Sequence, residues 1–253
     1  MIACVKAQST ALDVPFIATP QTVVQRMLEL AQVGPDDYLI DLGSGDGRIP
    51  VTAAKLYGTA GLGIDLDPVR TEQAQALAAQ SGVTDKVRFQ TQNLFDTDLA
   101  PATVISLYLF PEINLKLRPY LLALTPGTRI VSHAFHMAEW TPEQHEVVDG
   151  NNIYLWTVPA RVQGLWRVST TLSHPFDPQF VVRVWQDFDR VRGMATYPDE
   201  HSVPLHNMQL SGANLQFELT TPSGRLTFRG RVKENAIHGQ VSNGATWQAT
   251  FLP

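Results

Sequence analysis

Asp41-Leu42-Gly43-Ser44-Gly45-Asp46-Gly47 stands between an apolar run, Tyr38-Leu39-Ile40, and a helical pattern over residues 48–57. This order predicts a strand, a glycine turn and a helix. Glycines at alternate positions let the backbone turn sharply and bring its N–H groups against a ligand, while the helix N-terminus behind them carries a partial positive charge. The G-x-G-x-G spacing differs from the dinucleotide fingerprint G-x-G-x-x-G, and an acidic residue stands two positions before the first glycine. The stretch predicts a site for a nucleotide-like ligand.

Strand and helix signals alternate on both sides of this loop. An amphipathic helix is predicted from Pro20 to about Val33, with Thr19 as its N-cap. Strands are predicted at 38–41, 62–65, 87–92, 104–108, 129–133 and 153–158, and helices at 48–57, 68–80 and 112–124. This alternation is typical of an α/β domain with a parallel sheet and helices on both faces. Ligands of such folds bind beyond the carboxyl ends of the strands, so the glycine loop locates the site.

The pattern changes at about Gly164, where helical periodicity gives way to eight short β-type segments separated by turn signals. The segments are 165–172, 179–187, 190–196, 203–210, 213–219, 225–231, 235–241 and 245–251. We therefore predict two domains, residues 1–163 and residues 164–253, the second being a small antiparallel β barrel or sandwich of unknown role. Its core is predicted from Phe217, Leu219, Leu226, Phe228, Val232, Ile237, Val241, Trp247 and Phe251. Trp156, Trp166 and Trp185 are also interpreted as core, with a carbohydrate or base platform as the alternative.

Composition narrows the classes of function. The net charge is −5 and no run of Lys or Arg occurs, so nucleic acid is not an expected partner. Cys4 is the only cysteine, which excludes an intramolecular disulfide and a cysteine cluster for a metal, and no metal site is predicted. No apolar stretch approaches the roughly 18 residues of a membrane span. Residues 1–14 hold no long apolar segment, which favours a cytoplasmic protein, although residues 5–8 leave open the remnant of a removed leader.

Three further features follow the predicted strands in an order that suits S-adenosylmethionine (SAM). Asp65 ends the second strand, where a carboxylate can accept hydrogen bonds from both ribose hydroxyls. Asn93 and Leu94 follow the third strand and offer a polar side chain and a backbone N–H to an adenine edge. The fourth strand ends in 107–111, which would line the sulfonium and the acceptor. SAM is the predicted ligand, with a nicotinamide or other nucleotide as the alternative, and the predicted binding residues are Asp41, Gly43, Ser44, Gly45, Asp46, Asp65, Leu66, Asn93, Leu94 and Leu107.

Two other stretches are more particular than the glycine loop. They are Pro15-Phe16-Ile17-Ala18-Thr19-Pro20 and the block from Leu117-Arg118-Pro119 through Pro126-Gly127-Thr128-Arg129-Ile130-Val131-Ser132-His133. With the loop, continued by Arg48-Ile49, they resemble a branch of class I SAM-dependent methyltransferases over about residues 13–140. That branch includes protein lysine methyltransferases of archaea and of mitochondria, the latter acting on the c-subunit of ATP synthase. The resemblance implies a Rossmann-like sheet, methyl transfer to a protein lysine, and Phe16, Ile17 and Thr19 near the cofactor.

The chain departs from this branch in two places. Relatives usually carry Asp where this chain has Asn93, whose carbonyl oxygen can still accept a hydrogen bond from the adenine amine. The β-rich segment after Gly164 has no counterpart in the lysine enzymes. The acceptor therefore stays open between a protein lysine and a small molecule over which the β domain closes as a lid or specificity module. A protein that binds SAM without catalysis is the third alternative.

Tyr108 and His133 are the candidate catalytic residues. Tyr108 could hold an amine acceptor by cation–π contact and a hydroxyl hydrogen bond, or could be simply an aromatic residue at the end of the sheet. His133 could accept a proton or orient the substrate, or could be a hydrogen-bonded structural histidine. Because the methyl carbon of a sulfonium is already activated, orientation, desolvation and removal of a proton from the acceptor would do most of the catalytic work.

Overall fold

A computed structural model describes residues 17–172, 178–221 and 224–253. The chain divides into two compact units by its internal contacts. The first runs to Tyr120 and resumes over Arg129–Trp156, and the second comprises Leu121–Thr128 and Thr157–Pro253. Among the described residues, no helix is long and apolar enough to cross a bilayer.

The first unit is built on a seven-stranded sheet in the order β3-β2-β1-β4-β5-β7-β6. The strands are β1 Tyr38–Leu42, β2 Ala60–Asp65, β3 Val87–Thr91, β4 Val104–Leu107, β5 Arg129–His133, β6 Gln144–Val148 and β7 Asn151–Thr157. The helices are α1 Gln21–Leu30, α2 Arg48–Tyr57, α3 Pro68–Ser81 and α4 Pro111–Leu121. Strands β1 to β5 pair in parallel, whereas β6 and β7 form an antiparallel hairpin. The predicted α/β Rossmann-like class is confirmed.

The sheet is mixed rather than purely parallel as predicted, because the hairpin of β6 and β7 is antiparallel, and β6 was not predicted from the sequence. This strand lies at the edge of the sheet and carries mostly polar side chains with no residue fully buried, so it lacks the alternation that marks a half-buried strand. A hairpin with β7 forms nonetheless, through the turn at Asp149-Gly150, where both residues have positive φ.

Apolar faces of the first three helices hold the sheet in place. Val24, Met27 and Leu28 of α1 pack with Val104 of β4 and Val131 of β5 in one buried cluster. A second cluster joins α2 and α3 to β3. The right-handed crossover from β4 to β5 places α4 on the opposite face of the sheet. The carboxyl ends of β1, β2 and β4 are thereby left uncovered at the point where the strand order reverses.

Helix α1 begins one residue later than predicted. Pro20, not Thr19, occupies the N-cap position, with φ −57° and ψ 146° and no side-chain capping bond. The prediction of Thr19 as the cap was wrong because its hydroxyl is engaged elsewhere, with the ring of His133. The helix also ends at Leu30 rather than near Val33.

The second unit is a nine-stranded antiparallel, barrel-like sheet in the order β11-β10-β9-β8-β16-β15-β14-β13-β12. The strands are β8 Gly164–Thr170, β9 Gln179–Asp187, β10 Arg190–Thr196, β11 Ser202–Pro204, β12 His206–Ser211, β13 Asn214–Thr221, β14 Gly224–Lys233, β15 Ala236–Val241 and β16 Thr246–Leu252. The first and last of them, β8 and β16, pair with each other. The predicted antiparallel β unit is confirmed, with one strand more than predicted. The segment 203–210 divides into β11 and β12, with Asn207 at a positive φ of 48° near the start of β12.

Aromatic side chains fill the interior of this second unit. Phe217, Phe228 and Trp247 pack together with ring centroids 4.9 to 5.8 Å apart. The predicted core residues all belong to this cluster, with Leu226 and Phe251 partly buried at its margin. Trp185 is the exception among the tryptophans, because it is half-buried and its ring lies 5.0 Å from the guanidinium carbon of Arg192.

Candidate active site

A cavity of about 220 Å³ lies at the carboxyl ends of β1, β2 and β4 in the first unit. The predicted residues that line it are Ile17, Thr19, Asp41, Gly43, Ser44, Asp46, Asp65, Leu66, Asn93, Leu94 and Tyr108, together with Leu109 and Phe110 of the predicted stretch 107–111. Gly45, Leu107 and His133 do not line it: Gly45 contributes its backbone N–H to Asp65, whereas Leu107 and His133 are buried. Phe16 lies outside the described residues.

The glycine loop is fixed to the neighbouring strand by its backbone. The N–H groups of Gly43 and Ser44 both donate to the carbonyl oxygen of Ile64 in β2, at 2.8 Å each. Gly43 has a φ of +76°, and a Cβ there would lie 2.8 Å from the side chain of Leu109. Only glycine combines this backbone conformation with so close an approach, so the loop can bend around the floor of the cavity.

Asp65 connects the loop to the end of β2. One carboxylate oxygen accepts a hydrogen bond from the N–H of Gly45 at 2.8 Å, and the other accepts one from the N–H of Asp67 at 2.9 Å. These bonds fix the orientation of the carboxylate at the cavity wall. Each oxygen keeps a further lone pair, which suits a pair of ribose hydroxyls.

Asp41 has a carboxyl group whose ionised form is disfavoured by its surroundings. Its side chain is buried, with Oδ1 accepting a hydrogen bond of 2.6 Å from the hydroxyl of Ser106, and Oδ2 having no hydrogen-bond partner. Burial raises the pKa of Asp41 to about 7, and the charges of Asp65 and Asp46 raise it further, against the opposing effect of Ser106. A buried carboxylate oxygen that lines a cavity and lacks a partner is suited to a cationic ligand.

Arg48 attaches the segment before α1 to the glycine loop. Its guanidinium donates to the backbone carbonyl of Thr19 at 2.8 Å and to the carboxylate of Asp46 at 2.5 Å. The hydrogen bonds with Asp46 are the main reason why the pKa of Arg48 is raised. Arg48 was not among the predicted site residues. An arginine in the first turn of a helix is unfavourable by itself, because the helix N-terminus is partially positive. Its presence there is the sequence signal that could have pointed to a partner elsewhere in the fold.

His133 lies between Thr19 and Asn151, and both of its ring nitrogens are engaged. Nε2 is 3.1 Å from the amide oxygen of Asn151, whose amide nitrogen donates to the carbonyl oxygens of Val148 and Asp149. Because Asn151 presents its oxygen, Nε2 carries the proton and Nδ1 accepts a hydrogen bond of 3.1 Å from the hydroxyl of Thr19. Burial lowers the pKa of His133, against the opposing effect of Asn151. This arrangement favours the structural interpretation of His133 over a proton acceptor.

Three aromatic rings stand at the β4 end of the cavity. Tyr108, Phe110 and Phe135 all line it. The ring of Phe135 lies 6.4 Å from that of Tyr108 and 6.0 Å from that of Phe110, and Tyr108 also packs against His133 at 3.9 Å. Phe135 was absent from the predicted site because it follows β5 in an irregular segment, where no periodicity indicates which way a side chain points.

Asn93 has a local role at the opposite end of the cavity. Its side-chain oxygen accepts a hydrogen bond of 3.0 Å from the N–H of Phe95 and so caps the short 3₁₀ helix Leu94–Asp96. One lone pair of that oxygen is thus in use and one remains for a ligand. Phe95 and Gln92, which the sequence analysis did not assign, line the same end.

Comparison with known proteins identifies the family. The model of the ANTKMT methyltransferase domain matches residues 41–144. A protein-lysine N-methyltransferase of Saccharolobus islandicus is 40% identical over 151 residues, which cover 57% of this chain and 94% of that protein. The chain belongs to the protein-lysine methyltransferase branch of the class I SAM-dependent methyltransferases.

Two further relatives extend this methyltransferase assignment. The adenine nucleotide translocase lysine N-methyltransferase of Mus musculus is 30% identical over 132 residues, and the match covers 52% of this chain and 57% of the mouse protein. A crystal structure named as an RNA methyltransferase from Salinibacter ruber, in complex with S-adenosyl-L-homocysteine, is 47% identical with a TM-score of 0.57. That match covers 58% of this chain and 96% of the other.

Two observations indicate that this cavity fits SAM, the methyl donor of the class I methyltransferases. The first is the close approach of the glycine loop to the cavity wall at Gly43, where a Cβ would lie only 2.8 Å from the side chain of Leu109. The second is the unpartnered oxygen of Asp41, since SAM carries an ammonium group that such an oxygen can bind. Asp41 and Gly43 both belong to the glycine motif of the methyltransferases.

Thr19→Val tests the hydrogen bond that holds the segment before α1. The substitution leaves Nδ1 of buried His133 without a partner, so we expect the free energy of unfolding to fall by about 1–2 kcal/mol. Because Thr19 lines the cavity, SAM affinity should fall about fivefold, an effect on the order of 1 kcal/mol. Urea denaturation and titration calorimetry measure the two effects.

Thr22→Val is the matched control. The Thr22 hydroxyl also bonds a distant residue, Asp149, at 2.8 Å, but this bond is exposed. We expect a change in the free energy of unfolding within about 0.5 kcal/mol and no change in SAM affinity. Equal effects of the two substitutions would contradict a specific role for Thr19.

Proposed function

We propose that the protein transfers the methyl group of SAM to the side-chain amine of a lysine in a protein, and that residues 1–163 carry this reaction. The three aromatic rings of Tyr108, Phe110 and Phe135 support the proposal, because they form an apolar opening next to the donor site. The stem of a lysine side chain is apolar and its head is polar, which suits a ring-lined opening. The lysine N-methyltransferase of S. islandicus supports the same class of acceptor.

In this proposal the chain binds the donor through groups at separate strand ends. Asp41 holds the ammonium of the methionyl part, Asp65 holds the ribose, and Asn93 with the backbone of Leu94 holds the adenine. The sulfonium supplies an activated methyl group. The residues of the chain therefore orient the donor and exclude water, which is the part of the catalysis that positioning can provide.

The lysine has to arrive as a neutral amine, because only the unprotonated nitrogen has a lone pair for the methyl carbon. The described residues at the acceptor end are aromatic or apolar, and both nitrogens of His133 are already bonded. We infer that the aromatic surroundings lower the pKa of the lysine by desolvation and that its proton leaves to water before the transfer. The rate should then rise with pH until the bound lysine is neutral.

The acceptor is tested with methyl-labelled SAM and a cell lysate. After incubation with the full chain, acid hydrolysis of the protein fraction should release labelled methyl-lysine. Label found only in molecules of low mass would contradict the lysine acceptor and favour the small-molecule alternative. Label that a nuclease releases would instead favour RNA, the substrate class in the name of the S. ruber structure.

Two phenylalanine substitutions separate the acceptor end from the donor end. Phe135→Leu should raise the KM for a methyl-accepting protein about tenfold and leave the Kd for SAM unchanged, because removing a ring from an apolar site is worth on the order of 1.4 kcal/mol. Phe95→Leu, at the other end of the same cavity, should weaken SAM and leave the acceptor KM unchanged. If both variants affect only SAM, the three rings do not form the acceptor opening.

A further inference from the structure

Exposed cations gather on the outer surface of the barrel-like unit. Side chains alternate between the two faces of a strand, so buried residues show which neighbours face outward. In β14, Phe228 and Val232 are buried, which turns Arg229, Arg231 and Lys233 to the outside. All three are exposed.

Neighbouring strands continue this surface. Arg231 pairs in register with His238 of β15, and that residue pairs with Gln248 of β16. Next to β16, strand β8 contributes Arg167, which pairs with Thr250. Arg183 of β9 and Arg192 of β10 extend the surface on the far side of β8, and both are exposed. We call these six residues the basic wall: Arg167, Arg183, Arg192, Arg229, Arg231 and Lys233.

Few carboxylates lie on the strands that carry the basic wall, although Glu234 follows Lys233 in the turn after β14. Within the six strands β8, β9, β10, β14, β15 and β16, Asp187 is the single acidic residue, and it pairs with Arg190 at 2.5 Å. Arg229 donates to the amide oxygen of Gln216, and Arg192 lies over Trp185. The other four cations form no ion pair with any residue in the described part of the chain.

This concentration of charge contrasts with the composition of the protein, whose net charge is −5. Like charges on one surface repel each other, and an approaching polyanion relieves that repulsion while releasing its own counterions. A surface of unpaired cations on an acidic protein therefore has the electrostatic character of a polyanion-binding site.

We propose that the basic wall binds single-stranded nucleic acid through its phosphates. Five of the six cations are arginines, whose planar fork matches phosphate oxygens. Along β14 the cations repeat at every second residue, about 6.6 Å apart, which is comparable with the separation of neighbouring phosphates in an extended strand. Trp185 adds an aromatic face beside Arg192, and stacking of bases on aromatic rings is the usual second component of single-strand binding.

Two other polyanions fit this surface less well. A membrane surface would call for protruding apolar side chains, and among the six strands as described Met194 is the one large hydrophobic residue that is exposed. A duplex is read by an element that enters a groove, whereas the basic wall as described is made of neighbouring strands of one antiparallel sheet. An acidic protein shares the charge of a nucleic acid but has no bases to stack, so the test has to compare the two.

The test measures fluorescence anisotropy of a labelled oligouridine of about 20 nucleotides with the full chain, over about 50 to 200 mM salt. We expect the logarithm of the affinity to fall linearly with the logarithm of the salt concentration, by about 0.7 for each phosphate contact. The triple variant R229Q/R231Q/K233Q should bind at least about tenfold more weakly at low salt, and its slope should be shallower by about 2, the value for three lost contacts.

A second triple variant, R26Q/R190Q/R225Q, is the charge-matched control. Each of its arginines is paired with a carboxylate, Glu146, Asp187 or Glu218, so it removes the same net charge without removing an unpaired cation. It should bind oligouridine within about twofold of the unchanged protein. Thermal unfolding and the Kd for SAM establish that both variants are folded.

Three results would overturn the proposal. They are no binding of oligouridine at low salt, equal weakening by both triple variants, and binding of polyglutamate or of a duplex as tight as that of oligouridine. The inference goes beyond the proposed lysine methylation and fails separately from it. Loss of oligouridine binding leaves the methyl-lysine assay unchanged, and a negative methyl-lysine assay leaves the anisotropy unchanged.

Discussion

Asp65→Ala is expected to lower the affinity for SAM at least about a hundredfold, the equivalent of roughly 2.7 kcal/mol. The carboxylate orients the glycine loop through the N–H of Gly45 and is proposed to accept hydrogen bonds from both ribose hydroxyls. Hydrogen bonds to a charged group are each worth about 1.5–3 kcal/mol, so losing two of them accounts for the expected change. Titration calorimetry of the ligand-free protein with SAM measures it.

Asp67→Ala is the control for this experiment. Asp67 also lines the cavity, but its carboxylate accepts a hydrogen bond from the N–H of Val69 and caps helix α3. Its removal should reduce the free energy of unfolding by about 1 kcal/mol, the usual value of an N-cap, and change SAM affinity by less than about fivefold. Similar affinities for SAM in the two variants would show that Asp65 does not bind the ribose.

Features with a local cause could be predicted from the sequence. The glycine loop, the strand ends around it and the carboxylate of Asp65 follow from short patterns, since each is set by residues a few positions apart. The strands of the second unit were also predicted closely, because one face is packed and the other exposed, which produces a strict alternation of apolar and polar residues.

Features with a long-range cause could not be predicted in this way. The hydrogen bond between Thr19 and His133 joins residues 114 positions apart, and no local pattern shows that it forms. Residues of the basic wall are likewise separated in sequence, because strand alternation places an inward-facing residue between Arg229 and Arg231, and other strands supply the rest. A search for runs of Lys and Arg therefore finds nothing, although folding brings the cations to one surface.

At pH 8, Asp41→Asn is expected to stabilise the ligand-free protein and to weaken SAM binding at least about a hundredfold, two opposite effects of one buried charge. The pKa of Asp41 rises from 3.8 to about 7, so the folded protein binds an extra proton between these values and its free energy of unfolding falls as the pH rises through them. The loss above pH 7 is on the order of 4 kcal/mol, about three pKa units at about 1.4 kcal/mol each. Asparagine carries no charge and so avoids this loss, and its amide oxygen can still accept the hydrogen bond from Ser106. Its amide N–H group, however, has no acceptor, which costs about 1–3 kcal/mol.

We therefore expect Asp41→Asn to raise the free energy of unfolding by about 1–3 kcal/mol at pH 8 and to lower it by about 1–3 kcal/mol at pH 4, where Asp41 is largely protonated and only the unpaired donor of asparagine counts. Urea denaturation at the two pH values measures this difference. Ser106→Ala is the control, because it removes the one hydrogen bond of the buried carboxylate and should destabilise the protein more at pH 8 than at pH 4. A stability of Asp41→Asn that falls with pH as steeply as that of the unchanged protein would assign the titration to another group.

The same charge makes SAM binding depend on pH. An ammonium group bound beside Asp41 favours the carboxylate, so at pH 6, where Asp41 of the free protein is mostly protonated, binding has to release a proton. The affinity of the unchanged protein for SAM should fall about tenfold for each pH unit below 7. The affinity of Asp41→Asn should not change with pH, and it should be at least about a hundredfold weaker than that of the unchanged protein at pH 8. Calorimetry in two buffers of different ionisation enthalpy counts the protons released. If the unchanged protein releases none at pH 6, the unpartnered oxygen of Asp41 is not the site of the ammonium group.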